Sequence, residues 1–115
     1  MIRNATKGTT IAKEHELVKS ITGKAKGLMF CNKVKKPLLF EFENEQNINL
    51  HMLFVFCPID VILIGNDNKV VELKENLKPF MLFNSRRKAR YVIELEKGQV
   101  KRSRTEEGDI LQFLQ

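Results

Sequence analysis

The stretch Leu50-His51-Met52-Leu53-Phe54-Val55-Phe56-Cys57-Pro58-Ile59-Asp60-Val61-Ile62-Leu63-Ile64 decides the fold, because no other part of the chain offers so much core. It is too short for a membrane span, which takes about 20 mostly apolar residues, and His51, Pro58 and Asp60 interrupt it. β-branched and aromatic residues dominate it, which favours buried strand. Pro58 cannot donate to a central ladder, so it divides the run into two strand-sized pieces. The expectation is two extended segments bent at Pro58, with the Asp60 carboxyl at the corner.

Downstream, Gly65-Asn66-Asp67-Asn68 supplies residues that tolerate positive φ, and Val70 to Lys74 alternates Val71 and Leu73 against Glu72 and Lys74, a hairpin pattern. Asn76 to Pro79 reads as a second turn, Phe80 to Phe83 as a short strand, Asn84 to Arg90 as a basic loop and Tyr91 to Leu95 as strand. Gly98 ends that strand, a short helical turn fits the polar segment Gln99 to Glu107, and Gly108-Asp109 precedes a last strand, Ile110 to Leu114. Upstream, Pro37 to Phe42 has the period of a half-buried strand, and Glu43 to Asn49 reads as a polar loop. Ser20 to Met29 suits a helical turn weakened by Gly23 and Gly27. Ile2 to Ala5 and Thr9 to Lys13 form two strands around Lys7-Gly8, the second extended by Leu17-Val18. The sum is one mainly β domain over residues 1–115, antiparallel, either a small jelly-roll-like or barrel-like sheet or a two-sheet sandwich, with one or two helical turns.

The chain has 115 residues, 43% hydrophobic and 30% charged, enough to bury a core without staples and too apolar for a disordered chain. Cys31 and Cys57 form no CxxC pair, so they read as free thiols in a reducing compartment. No basic segment followed by an apolar one opens the sequence, so the expected location is the cytoplasm. The formal charge of +6 and a pI near 9.5 permit an acidic partner without requiring one.

Gly27-Leu28-Met29-Phe30, Pro58-Ile59-Asp60 before an apolar strand, Val70-Val71-Glu72, Tyr91-Val92-Ile93-Glu94-Leu95 with Gly98, and Gly108-Asp109 occur in an order that resembles the family called domain of unknown function 192. The resemblance covers most of the chain. It implies a compact, mainly β, jelly-roll-like or barrel-like domain and supplies no activity. Where many members of that family carry Trp-Met-Lys-Asn-Thr, this chain has His51-Met52-Leu53-Phe54-Val55, and the basic residue after Gly-Leu-Met-Phe is replaced by Cys31.

Three constellations compete for a function. Asp60 beside Pro58 either accepts turn amides, which is structural, or meets His51 and Glu72 in a binding site at the corner. His51 oriented by Asp60 would be half of a general-base pair, but no nucleophile elbow accompanies it. Basic residues cluster around Lys35, around Arg86, Arg87 and Arg90, and around Arg102, a pattern that suits nucleic-acid phosphates if the loops share a face. His15, Cys31, His51 and Cys57 lack the spacing of a zinc site, and no phosphate-binding glycine loop is present, so no metal or cofactor is expected. The leading expectation is therefore a non-enzymatic binding domain for a small molecule or a protein, with its site at His51, Asp60 and Glu72 and no membrane contact. Nucleic-acid association through Lys35, Arg86, Arg87, Arg90 and Arg102 comes second, and an enzyme using His51 and Asp60 third.

Overall fold

The run after Pro58 becomes strand β6 (Ile59–Ile64), all six residues of which are buried, in a computed structural model that describes residues 1–21, 25–26, 37–51, 57–78 and 81–114. The other elements among these residues are β1 (Ile2–Asn4), β2 (Thr9–Ala12), β3 (Glu16–Ile21), β4 (Ala25–Lys26), β5 (Leu38–His51), β7 (Val70–Leu77), β8 (Leu82–Glu96), the helical turn α1 (Gln99–Arg102) and β9 (Leu111–Phe113). The molecule is mainly β, as the period-two patterning requires. One sheet runs β3-β5-β8-β6-β7 with β4 also paired to β5, and a smaller one runs β2-β1-β9. The larger sheet ends on β3 and β7, which do not pair, so no barrel closes among the described residues.

The apolar run of β6 follows from its position. Antiparallel neighbours flank it on both sides, with Ile62 in register with Leu73 of β7 and with Ile93 of β8. Successive side chains of a strand alternate between faces, and here both faces are covered. Ile59, Val61 and Leu63 pack with Phe42, Ile48, Leu77, Phe83, Ala89 and Val92. Ile62 and Ile64 pack on the other side with Leu39, Ile93 and Leu95, and with Ile2, Ile11 and Leu111 of the smaller sheet and Val100 of α1. A strand buried on two faces has no use for polar alternation.

The β6–β7 hairpin forms as its sequence suggests: Gly65 N–H donates to the Lys69 carbonyl at 2.9 Å and Asn68 N–H to the Gly65 carbonyl at 3.1 Å. Asn68 sits at φ 63°, a left-handed conformation that asparagine tolerates.

Several expectations need correction. Glu43 to Asn49 is not a loop, because β5 continues through it, and Asn84 to Arg90 is likewise part of β8. The two segments pair with each other, Gln46 with Ala89 and Asn47 with Lys88. Cross-strand bonding carries the polar halves, and periodicity of apolar residues is blind to that. Leu17-Val18 does not extend β2; it belongs to β3, which runs parallel to β5 in the other sheet. The helical turn expected from Ser20 is absent where the chain is described, since Ser20 and Ile21 end β3 and Ala25-Lys26 form β4. Cys57 is disulfide-bonded rather than the free thiol that sequence spacing suggests. Gly27 to Lys36, including Cys31 and Lys35, and Met52 to Phe56 lie outside the described residues. No helix among the described residues is long and apolar enough to cross a membrane.

Candidate functional site

Asp60 is not at a corner. It lies inside β6 on the face of Ile62 and Ile64, opposite Leu95 of β8, and is 0% exposed. One carboxylate oxygen accepts the Asn76 N–H at 2.9 Å, and the other accepts the Gly98 and Val100 N–H groups, each at 3.0 Å. The need for such an acceptor is local. Gly98 caps α1 without a side chain, and Asn76 turns at φ 54°, so these amides have no ladder or cap partner of their own. Asp60 supplies it from a distant strand. Both oxygens are thereby committed to backbone, the structural alternative posed for this residue. The backbone of His51 is in register with Leu82, at the opposite end of β8 from Leu95, so the register separates His51 from Asp60.

Glu72 also sits apart from Asp60. It is 7% exposed on β7, and its Oε1 accepts the N–H groups of Arg86 at 2.8 Å and Arg87 at 3.1 Å. Those amides are freed by a bulge. Between Asn47–Lys88 and Asn49–Asn84 the register advances two residues on β5 and four on β8, so Ser85, Arg86 and Arg87 together face Ile48. Ile48 N–H donates to Ser85 Oγ at 2.8 Å. A bulge leaves backbone groups unpaired and re-aims side chains. Glu72 binds the two bare amides, while Arg86, Arg87 and Lys88 are all turned outward and exposed.

Glu72, Arg86 and Arg87 are thus brought together, and with Val71 and Glu107 they line a hollow of about 340 Å³. Among the described residues neither guanidinium has a hydrogen bond or ion pair, and Glu107 has none either. This hollow joins one residue of the expected binding site to two of the expected phosphate contacts.

Of the remaining basic candidates, Lys35 lies outside the described residues, and Arg90 and Arg102 are engaged within the chain. Arg90 donates its Nε–H to the Phe42 carbonyl and a second N–H to Asn66 Oδ1 at 3.2 Å, and its guanidinium lies 5.6 Å from the Tyr91 ring centre. Arg102 donates to Gln99 Oε1 at 2.9 Å within its own turn. Among the described residues no group of three or more His, Cys, Asp or Glu side chains is placed to hold a metal.

The sequence reading overlooked two further buried carboxyl groups. Glu94 is wholly buried in mid-strand, between Leu38 of β5 and Val61 of β6, and is engaged in interactions of its own. Asp109 accepts from Asn4 Nδ2 at 2.9 Å, from Lys7 Nζ at 2.9 Å and from Glu106 N–H at 2.9 Å. Burial pushes its carboxyl up, but the bonds from Asn4, Lys7 and Glu106 and the Lys7 charge outweigh this and hold it below the usual range. The same bond to Asp109 raises Lys7. The signal available for Asp109 is its place after Gly108 at the start of a strand.

Several known proteins are similar to this chain in sequence or in fold. The UPF0127 protein of Thermococcus gammatolerans is 33% identical over 115 residues, which cover 98% of this chain and 74% of the relative. That of Pyrococcus furiosus is 34% identical over 112 residues, covering 96% and 95%. A crystal structure from Sinorhizobium meliloti, of a protein provisionally described as a transcription regulator, matches with TM-score 0.73 at 27% identity over 85% of this chain and 79% of that one. One of unknown function from Novosphingobium aromaticivorans shares the fold with TM-score 0.73 at 20% identity, over 86% and 74%. The model of the family DUF192, described as Uncharacterized ACR, COG1430, matches residues 2–113, and the chain belongs to that family.

Proposed function

We propose that the chain is a binding domain whose site is the hollow between β7 and the β8 bulge, and that it takes a small anionic ligand. The observation that supports this reading is the pair of guanidiniums on the bulge, Arg86 and Arg87, unpartnered among the described residues beside a hollow of about 340 Å³. That volume lies at the small end of ligand sites, roughly 300–1,000 Å³. Arginine presents a planar fork of donors that matches a carboxylate or phosphate. Glu72 contributes by holding the bulge in shape from beneath.

Thermal melts and calorimetric titration with propionate and inorganic phosphate, at constant ionic strength, test this. A ligand bound only by the folded form stabilises it by about 2.7 kcal/mol at a hundred times its Kd. Stabilisation that disappears in the Arg86→Ala, Arg87→Ala double variant supports the reading. No stabilisation by either anion, nor by a molecule that carries a carboxylate or phosphate together with an ammonium group, overturns it.

A second reading is nucleic-acid association. Arg86, Arg87 and Lys88 are three consecutive exposed cations, and the Sinorhizobium protein is provisionally described as a transcription regulator. Three phosphate contacts on duplex DNA would weaken binding about 40-fold between 50 and 200 mM salt. Absence of binding to DNA and RNA at the lower salt removes this reading.

A further inference from the structure

We infer that the ligand of the β7–β8 hollow is a zwitterion, carrying an ammonium group as well as its anionic group; this rests on the binding reading proposed above. The hollow's titratable lining consists of two guanidiniums, Arg86 and Arg87, and two carboxyl groups, Glu72 and Glu107. Formally these charges cancel at neutral pH. A simple anion gains from the arginines but is brought up against two groups of its own sign, and a simple cation meets the reverse.

The two signs come from different elements. Arg86 and Arg87 belong to the bulge of β8. Glu107 belongs to the turn before β9, anchored beside the start of β7 by Gly108 N–H donating to the Val70 carbonyl at 2.8 Å. Glu72 lies on β7, its Oε1 already committed to the bulge amides. Glu72 is 7% exposed while Glu107 is exposed, so Glu107 is the acidic group open to a ligand, set on a separate element from the guanidiniums. A molecule with its opposite charges a few bonds apart satisfies both without leaving a like-charge contact, and that is how such a site discriminates. The anionic end is a carboxylate or a phosphate, since arginine accepts either.

The test compares matched pairs by calorimetry on the intact chain: β-alanine against propionate, and phosphoethanolamine against ethyl phosphate. The zwitterion of at least one pair should bind tenfold or more tighter than its partner, and which pair shows this identifies the anionic group. Glu107→Gln should remove that preference and raise the simple anion's affinity. Because Glu107 is exposed and without partners among the described residues, this variant should fold as the parent does, which a melting curve checks. If simple anions bind as tightly as zwitterions, or Glu107→Gln leaves the preference intact, the inference falls while the binding reading stands. If nothing binds in either pair, both fall.

Discussion

Replacing Asp60 by asparagine separates a structural carboxylate from a functional one. Asp60 accepts three backbone N–H groups, two on one oxygen and one on the other, with no exposure to solvent. A carboxamide of the same shape has one acceptor atom. Keeping its oxygen on Gly98 and Val100 turns its NH₂ against the Asn76 N–H, which then has no partner and faces another donor. Losing one hydrogen bond to a charged acceptor costs about 1.5–3 kcal/mol, and a buried donor left bare costs about 1–3 kcal/mol. Asp60→Asn should therefore destabilise by roughly 3–5 kcal/mol, against a total of about 5–15 kcal/mol for a domain. At about 4 °C per kcal/mol for a chain of this size, the melting temperature should drop by roughly 12–20 °C. Urea unfolding followed by circular dichroism measures this, with an unchanged slope excluding a change in cooperativity. Amide exchange at Asn76, Gly98 and Val100 should quicken first. A variant within about 0.5 kcal/mol of the parent would refute the claim that these bonds hold the end of β7 and the start of α1 together.

Stability should also fall at both extremes of pH. Asp109 is held below its ordinary value of 3.8, so its contribution is full above that pH and is lost as pH falls through the lower folded value. Lys7 is raised above 10.5, so its contribution is full below that pH and is lost as pH rises through the higher folded value. The stability gap between the parent and Asp109→Asn should thus be constant at neutral pH and shrink in acid, as urea titrations from pH 7 to pH 2.5 would report. Gly98→Ala forces a side chain to adopt φ 94°, with its Cβ 3.0 Å from a guanidinium nitrogen of Arg102 that can move aside. It should cost about 1–2 kcal/mol in the same assay, and a neutral result would mean the turn relaxes to negative φ.

What the sequence made legible was whatever apolar spacing encodes. The buried run of β6, the hairpin into β7, the strand around Tyr91 to Leu95 and the turn at Gly98 all follow from side chains that must leave water. The outer halves of β5 and β8 did not, because Glu43 to Asn49 and Asn84 to Arg90 contribute mostly backbone bonding and few core side chains. The contacts of the candidate site residues were hidden for the same reason. Asp60 looks like a corner residue beside a proline, and nothing in Ile59-Asp60-Val61 reveals that Asn76, Gly98 and Val100 bring bare amides to it. Arg86 and Arg87 could be picked out as cations, but not as the exposed crest of a bulge fixed by Glu72.

A single use of acidic residues links these features. Asp60, Glu72 and Asp109 are buried where the strand pattern breaks, at the end of β7, the bulge of β8 and the turn before β9, and each accepts amides the ladders leave bare. A carboxylate suits that task because its two oxygens can take several donors at once. With Glu94 also buried, four of the fourteen acidic residues are withdrawn from the surface. Arg86 and Arg87 are lifted by a bulge whose amides Glu72 holds from β7, and their side chains are left to line the hollow that Glu107 also borders.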